Sequence, residues 1–240
     1  MLILSLDTSA SCASLALVSD EKILSQSTFM ADRRLSVRLL PEILHLLQLA
    51  ETTMDCIDLF SCSIGPGSFT GVRAGVATIQ GLALSMGKPC VGFSSLSLLA
   101  MNHNPNATLV CAMLDARKNE IYAALFDCSK LIPVPLVNDC VTPVENFLDR
   151  IHPAFGDTFI FCGDGATRYR EIIENRLGER AYFAGISGNI ANAAHGAFLA
   201  RNAFDAGQAI APNQLLPVYL RPTDREYAKL DQQKKPRDKT

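Results

Sequence analysis

The sequence lacks the short motifs that mark common nucleotide-binding, hydrolytic and metal sites. It contains no Gly-x-x-x-x-Gly-Lys-Ser/Thr loop and no Gly-x-Ser-x-Gly elbow. Its glycine-rich stretch at 65–71 is spaced Gly-x-Gly-x-x-x-Gly, which is not the dinucleotide-binding pattern. The eight cysteines include no Cys-x-x-Cys pair, and the four histidines show no spacing that suits a metal. We therefore expect neither a bound metal nor a standard cofactor.

Strong net charge and long apolar runs are also missing. The net charge of −2 and the isoelectric point near 6.1 give no overall attraction to nucleic acid or to an anionic membrane. No apolar run is long enough to span a bilayer, and the first residues lack the basic segment of a signal peptide. Most cysteines lie within apolar runs, which is typical of buried thiols. These features predict a reduced, cytoplasmic protein.

The chain carries a weak internal repeat. Residues 2–18 show two strand patterns separated by a small polar turn, and residues 109–127 show the same plan. The repeat aligns Leu6 with Leu114, Asp7 with Asp115, Ala16 with Ala124 and Leu17 with Leu125. Alternating strand and helix patterns predict a duplicated α/β fold, in which two halves have mixed sheets flanked by helices. We place the halves at 1–103 and 104–221, followed by a charged tail at 222–240 that we expect to be disordered.

The most informative stretch is a glycine turn that runs into a helix pattern over 70–86. The turn is defined by Gly65, Gly67, Ser68 and Gly71. Its first two glycines allow backbone angles that other residues avoid, and Ser68 or Thr70 can cap the helix. Gly71 and Gly75 lie on one helix face and let another backbone approach closely. Most glycine turns only connect and pack elements, although a helix N-terminus of this kind can also hold an anion.

Two helix patterns carry more apolar residues than one buried face requires. The pattern over 35–50 has its main stripe at helical spacing, and Leu40, Leu44 and Leu49 lie outside that stripe. The pattern over 70–86 has further apolar residues around its small-residue face, namely Val72, Val76, Ile79, Leu82 and Met86. This surplus indicates a second buried side on the helices.

The order of several motifs resembles that of the bacterial TsaB (YeaZ) family over nearly the whole chain. The motifs include Ile3-Leu-Ser-Leu-Asp-Thr-Ser9, Ile64-Gly-Pro-Gly-Ser-Phe-Thr-Gly-Val-Arg73, Asp115-Ala-Arg117 and Tyr219-Leu-Arg221. The glycine segment is highly specific, and the other motifs gain weight from their order. The resemblance implies the duplicated ribonuclease-H-like fold of actin and sugar kinases. It also implies a role in placing a threonylcarbamoyl group on the adenosine beside the anticodon of tRNA.

Within that role, the resemblance implies a non-catalytic scaffold or activator subunit. Such a subunit pairs with a homologous TsaD-type catalytic subunit, a TsaE-type ATPase joins them, and tRNA is bound indirectly or weakly. Without the partner, the same helices can pair two copies of the chain. The implied partner interface consists of Leu40, Leu44, Leu47, Val72, Val76, Ile79, Leu82 and Met86. We expect a charged residue in place of Val76 or Leu82 to break pairing and to leave the monomer folded.

An enzymatic alternative stays open, namely an ATP-dependent kinase or carbamoyl transferase of the same superfamily. It depends on Asp7, Thr8 and Ser9, which resemble a degenerate phosphate-binding hairpin. The turn that follows Asp7 contains no glycine, so side chains would crowd the backbone N–H groups that phosphate must reach. We therefore expect Asp7 to stabilise its own turn instead of holding a nucleotide.

Catalysis by metal or by a second carboxylate cluster also finds little support in the residues. The metal-binding histidine pair of TsaD-type relatives falls here on Ser95 and Leu99, and leucine cannot bind a metal. The same absence, together with the lack of a credible Ser/His/Asp order, argues against a glycoprotease. We interpret Asp115, Arg117 and Glu120 as a hairpin tip with a local ion pair, and expect no catalytic residues.

Overall fold

The computed structural model describes residues 1–103, 109–151, 155 and 158–221. The tail at 222–240 that we expect to be disordered lies outside these residues, as do the first residues of the second predicted half, 104–108. Within the described residues the chain forms two mixed five-stranded sheets with helices packed against them.

The first sheet is formed by residues 2–93. Its strands are β1 (Leu2–Asp7), β2 (Cys12–Ser19), β3 (Lys22–Met30), β4 (Leu59–Ser63) and β5 (Cys90–Phe93). They lie in the order β3-β2-β1-β4-β5, with β1, β2 and β3 antiparallel and with β4 and β5 parallel to β1. Strand β1 is central and is buried on both faces after its first residue, which explains its almost continuous apolar pattern.

The second sheet repeats this topology. Its strands are β6 (Leu109–Arg117), β7 (Glu120–Asp127), β8 (Val134–Pro143), β9 (Phe159–Cys162) and β10 (Ala181–Phe183). They lie in the order β8-β7-β6-β9-β10, again with three antiparallel strands followed by two parallel ones. The predicted duplicated α/β fold with mixed sheets is therefore confirmed, and Asp7 and Asp115 occupy equivalent places near the ends of β1 and β6.

Seven α-helices lie in the described part of the chain. They are α1 (Leu35–Leu49), α2 (Phe69–Met86), α3 (Ser95–Ala100), α4 (Val144–Ile151), α5 (Asp164–Arg168), α6 (Arg170–Leu177) and α7 (Ala193–Asp205). Helices α1 and α2 share one core with the first sheet, where Leu4 and Leu6 meet Ile43 and Ile79. The alternate residues of β1 face the other side, where Ile3 packs with the alanine-rich face of α7.

The path of α7 shows that the two structural units interlock. Although α7 lies in the predicted second half at 104–221, its alanines pack against the first sheet, and Leu215 also joins the core of α1 and α2. The small residues of α7 allow this close approach, since a side chain added at Gly196 would lie 2.6 Å from Ser5 Oγ. The boundaries of the predicted halves stay a prediction.

Four residues of the implied partner interface belong to the core of the first half. Leu47, Val72, Val76 and Ile79 are between 0% and 4% exposed. Of the other four, Leu40 and Leu44 are exposed, and Leu82 and Met86 are half-buried. The expectation that a charge at Val76 leaves the monomer folded is therefore wrong, because this side chain faces the core under α2.

We predict that Val76→Asp lowers the free energy of unfolding by about 4 kcal/mol or more, because it places a carboxylate without a partner in an apolar core. The neighbouring variant Ala77→Asp, at an exposed position of the same helix, should lower it by no more than about 1 kcal/mol, which is the loss of helix propensity. Urea unfolding of both variants tests this, and equal stabilities would contradict the burial of Val76.

Candidate functional site

The glycine turn and the hairpin that resembles a phosphate-binding loop are joined directly. The backbone N–H of Ser68 donates to the carbonyl oxygen of Ser9 at 2.7 Å. The hydroxyl of Thr8 donates to the carbonyl oxygen of Gly71 at 2.8 Å. The end of β1 is thus held against the first turn of α2 by backbone oxygens of both segments. We call this contact the loop–turn junction.

Glycine is required on the turn side of this junction. A Cβ atom at Gly67 would lie 2.3 Å from the Ser9 carbonyl oxygen, and Gly67 also has a φ of +154°. A Cβ atom at Gly71 would lie 2.0 Å from the Thr8 carbonyl oxygen. These distances are far below van der Waals contact, so no side chain fits at either position. The sequence predicted that another backbone approaches this helix closely, and that backbone is the hairpin after β1.

The N-terminal cap of α2 is Ser68 and not Thr70. The Ser68 hydroxyl accepts a hydrogen bond from the Gly71 N–H at 3.3 Å, while Thr70 lies exposed in the first turn. Capping by the side chain and the contact to Ser9 both use groups of the turn itself. On the side that faces β1, the polar groups of the turn are therefore hydrogen-bonded to other groups of this chain.

Asp7 is fully buried beneath the junction. Its Oδ1 accepts hydrogen bonds from the Ser63 hydroxyl and from the Ser9 N–H, and its Oδ2 has no partner among the described residues. Burial raises the pKa of the Asp7 carboxyl, and the hydrogen bonds from Ser63 and Ser9 offset this only in part. Thr8 and Ser9 are buried as well, so none of the three presents an open surface to a ligand.

In the equivalent loop of the second half, Asp115 forms its ion pair with an arginine of a distant helix and not with a neighbour in the hairpin tip. Asp115 Oδ2 pairs with Arg168 Nη1 of α5 at 2.8 Å, and its Oδ1 accepts the Arg117 N–H at 3.0 Å. The Asp115 N–H in turn donates to Asp164 Oδ1 at 3.0 Å. Burial raises the pKa of the Asp164 carboxyl. The side chain of Glu120 faces Arg221 at 3.7 Å.

A C-terminal strap, residues 215–221, connects the glycine turn to the second half. The Val218 N–H donates to the Ile64 carbonyl oxygen at 2.8 Å, and a Cβ atom at Gly65 would lie 2.9 Å from the Val218 carbonyl oxygen. Further along, Arg221 donates to the Ala116 carbonyl oxygen. The strap explains the place of the Tyr219-Leu-Arg221 motif, which sequence reasoning recognised only by resemblance.

Sequence reasoning also missed a stacked group between the strap and α2. The guanidinium of Arg73 lies 3.8 Å from the centre of the Phe69 ring and 5.4 Å from that of Tyr219. Its Nε donates to the Tyr219 hydroxyl at 2.6 Å. The spacing of Phe69 and Arg73 by four residues in a helix is the signal that predicts their contact.

The outer sides of α1 and α2 form an exposed surface with many apolar residues. We define the α1–α2 surface by Val37, Leu40, Leu44, Ala77, Gly81 and Leu84. Of its four large side chains, Val37 is 76% exposed, Leu40 46%, Leu44 53% and Leu84 67%. A Cβ atom at Gly81 would meet no atom within 4 Å, so the middle of this surface is open.

The two positions where the resemblance places a histidine pair, Ser95 and Leu99, hold packed residues. Ser95 and Leu99 are 0% and 2% exposed, and the Ser95 N–H donates to the Gly65 carbonyl oxygen at 3.0 Å. Across the described ranges, no group of three or more His, Cys, Asp or Glu side chains is arranged to hold a metal. Within the same ranges, no helix has the length and apolarity needed to cross a membrane.

We predict that Gly71→Ala destabilises the chain by at least about 2 kcal/mol, because the added methyl group overlaps the Thr8 carbonyl oxygen. The same substitution at Gly81, in an open part of α2, should instead raise stability by up to about 1 kcal/mol. Thermal unfolding of the two variants checks the prediction. A stable Gly71→Ala variant would mean that the loop–turn junction is looser than described.

We also predict that Asp7 makes stability fall as pH rises. Burial raises the pKa of Asp7 in the folded state above its ordinary value of 3.8. The contribution of Asp7 to stability is therefore fully present below pH 3.8 and is lost as the pH rises through the folded-state pKa. Asp7→Asn removes the ionisable group, so its free energy of unfolding should fall less than that of the wild type between about pH 4 and about pH 7. Denaturant unfolding at both pH values measures the difference, and parallel falls would rule out a raised pKa.

Comparison with known proteins agrees with this architecture. A family model described as "TsaD: tRNA N6-adenosine threonylcarbamoyltransferase" matches residues 21–216. The tRNA threonylcarbamoyladenosine biosynthesis protein TsaB of Bacillus subtilis is 26% identical over 98% of this chain and 100% of its own length. The protein of the same name from Haemophilus influenzae is 28% identical over 91% of this chain and 93% of its own length.

Solved structures show the same relationship. The structure of YeaZ from Pseudomonas aeruginosa has a TM-score of 0.79 at 29% identity, covering 91% of this chain and 99% of that one. The fold of that structure is the one found in actin and sugar kinases, and it agrees with the two sheets of this chain, which share one strand order. The chain therefore belongs to the family of tRNA N6-adenosine threonylcarbamoyltransferases that the model describes, and within it to the TsaB (YeaZ) group of tRNA threonylcarbamoyladenosine biosynthesis proteins.

Proposed function

We propose that this chain is a non-catalytic subunit that activates transfer of a threonylcarbamoyl group to the adenosine beside the tRNA anticodon. It acts by pairing with a TsaD-type catalytic subunit. The observation that carries the proposal is the exposed apolar α1–α2 surface, which lies on the two helices that cover the packed core of the first half. A family of tRNA threonylcarbamoyladenosine biosynthesis proteins supplies the chemical context.

The shape of the surface suits a helical partner. On α1, Val37, Leu40 and Leu44 follow one another at intervals of three and four residues, which places them along one side of the helix. On α2, Ala77, Gly81 and Leu84 do the same, and the small residues let a second helix approach closely. A partner with two helices of similar pattern would complete a four-helix layer and cover the exposed leucines. This arrangement supports pairing with a homologous subunit.

The loop–turn junction supports a non-catalytic role. A phosphate-binding hairpin needs backbone N–H groups that face open space. Here Thr8 and Ser9 are buried, and the glycine turn fills the space against them with contacts at 2.7 and 2.8 Å. Nucleotide binding at Asp7 would require α2 to move away from β1. We infer that the hairpin after β1 holds α2 in position and does not hold a nucleotide.

Other members of the assembly follow from the same proposal. We infer that a TsaE-type ATPase joins the pair in the cytoplasm and that tRNA is bound mainly by the catalytic subunit. The small net charge of this chain agrees with a minor share in RNA binding. In the absence of the partner, the α1–α2 surface pairs two copies of this chain, since their exposed apolar residues are then buried against each other.

We predict that Leu84→Glu weakens pairing with the TsaD-type subunit by about 100-fold or more, because it places a charge in an apolar contact. Leu84 is 67% exposed, so the monomer should keep its stability. Leu131→Glu is the matched control, since Leu131 is 68% exposed and lies in the second half between β7 and β8. Calorimetric titration of each variant with the partner measures the dissociation constant. Wild-type affinity of Leu84→Glu would exclude this surface.

A further inference from the structure

The first turns of α2 carry an arginine, Arg73, whose side chain is held in place by neutral groups. Arg73 is stacked on Phe69 and donates from Nε to the Tyr219 hydroxyl. Among the described residues, no carboxylate lies within ion-pair distance of its guanidinium, although the side chain is exposed. Aromatic stacking and a neutral hydroxyl orient the cation without cancelling its charge.

Three other helical arginines in the described part of the chain are paired along their own helix. Arg38 pairs with Glu42, Arg170 with Glu174 and Arg201 with Asp205, each four residues apart. Helix α2 offers no such partner, because Arg73 is the only charged residue from Phe69 to Met86. The sequence of α2 therefore leaves this charge for a group outside the helix.

The position of Arg73 links it to the α1–α2 surface. One side of α2 carries a row of four exposed residues spaced by four, four and three positions, namely Arg73, Ala77, Gly81 and Leu84. Arg73 lies at the N-terminal end of this row. On the neighbouring helix the charge of Arg38 is already matched by Glu42. The row thus combines an open apolar strip with a cation at its end that has no carboxylate partner within the described ranges.

We propose that Arg73 is an anchor of the subunit interface and receives an aspartate or glutamate carboxylate from the partner that docks on the α1–α2 surface. The inference rests on the proposed function and names the chemistry that the partner must present. Nε is already engaged, and the remaining guanidinium N–H groups can bind one carboxylate in a bidentate manner. Because the rings and the strap hold the side chain, little rotamer freedom is lost on binding.

The surroundings favour a protein carboxylate over an RNA phosphate. Binding of a nucleic acid backbone depends on several clustered cations, each of which displaces counterions. Arg73 is instead a single cation that continues a row of small and apolar residues. Arginine at the border of an apolar contact is a common source of binding energy between proteins.

The test compares charge variants by their dissociation constants for the TsaD-type subunit. Arg73→Glu should weaken pairing at least about 30-fold, and Arg73→Lys about 5-fold, because lysine keeps the charge but not the planar stacked geometry. Arg150→Glu makes the same change of charge at an exposed site on α4 of the second half, and should bind within about 2-fold of the wild type. An Arg73→Glu variant that pairs like the wild type would overturn the inference.

Two further readouts separate the possible failures. Replacing acidic residues of the partner by arginine, one at a time, should identify one variant that restores pairing with Arg73→Glu. If Arg73→Glu pairs normally but loses affinity for tRNA, Arg73 contacts phosphate and the inference is overturned, while the proposed function stands. If the wild-type chain does not pair with the TsaD-type subunit, the proposed function and the inference fail together.

Discussion

The close contact between the hairpin after β1 and the first turn of α2 fixes most of what is distinctive about this chain. At this contact two stretches of backbone approach so closely that only glycine fits at positions 67 and 71. The contact buries Asp7 and sets the direction in which α2 leaves the first sheet. It therefore determines both what the interior of the first half can hold and which side of α2 faces outward.

The same helix consequently has two different roles. Its inner side carries Val72, Val76 and Ile79 into the core, and its outer side carries Ala77, Gly81 and Leu84 to the surface. In a kinase-like member of the superfamily, we would expect space for phosphate between the hairpin and the rest of the site. Here the helix takes that space, and the strap closes over the glycine turn from the other side. Such packing favours a protein that functions through its exterior.

The parts of the structure that depend on local pattern could be predicted from the sequence. The match of Asp7 with Asp115 indicated the duplicated fold, and the glycine spacing indicated a close backbone approach at Gly71. Contacts between distant residues could not be predicted in this way. The partner of Asp115 is Arg168, 53 residues away, and helical periodicity alone could not show that Val76 faces inward while Leu84 faces outward. Both facts depend on how the helices are oriented on the sheets, and this orientation cannot be derived from the local pattern of a single sequence.

The central claim is that the chain works by pairing and not by chemistry at its own carboxylates. The most direct test is tRNA threonylcarbamoylation reconstituted with the TsaD-type and TsaE-type subunits, the enzyme that forms threonylcarbamoyl-AMP, and an Asp7→Asn/Asp115→Asn variant of this chain. The account predicts that modification requires this chain and that the double variant, at matched occupancy of the complex, supports it at the wild-type rate. Loss of modification by a double variant that still folds and pairs would contradict the account and favour an enzymatic role.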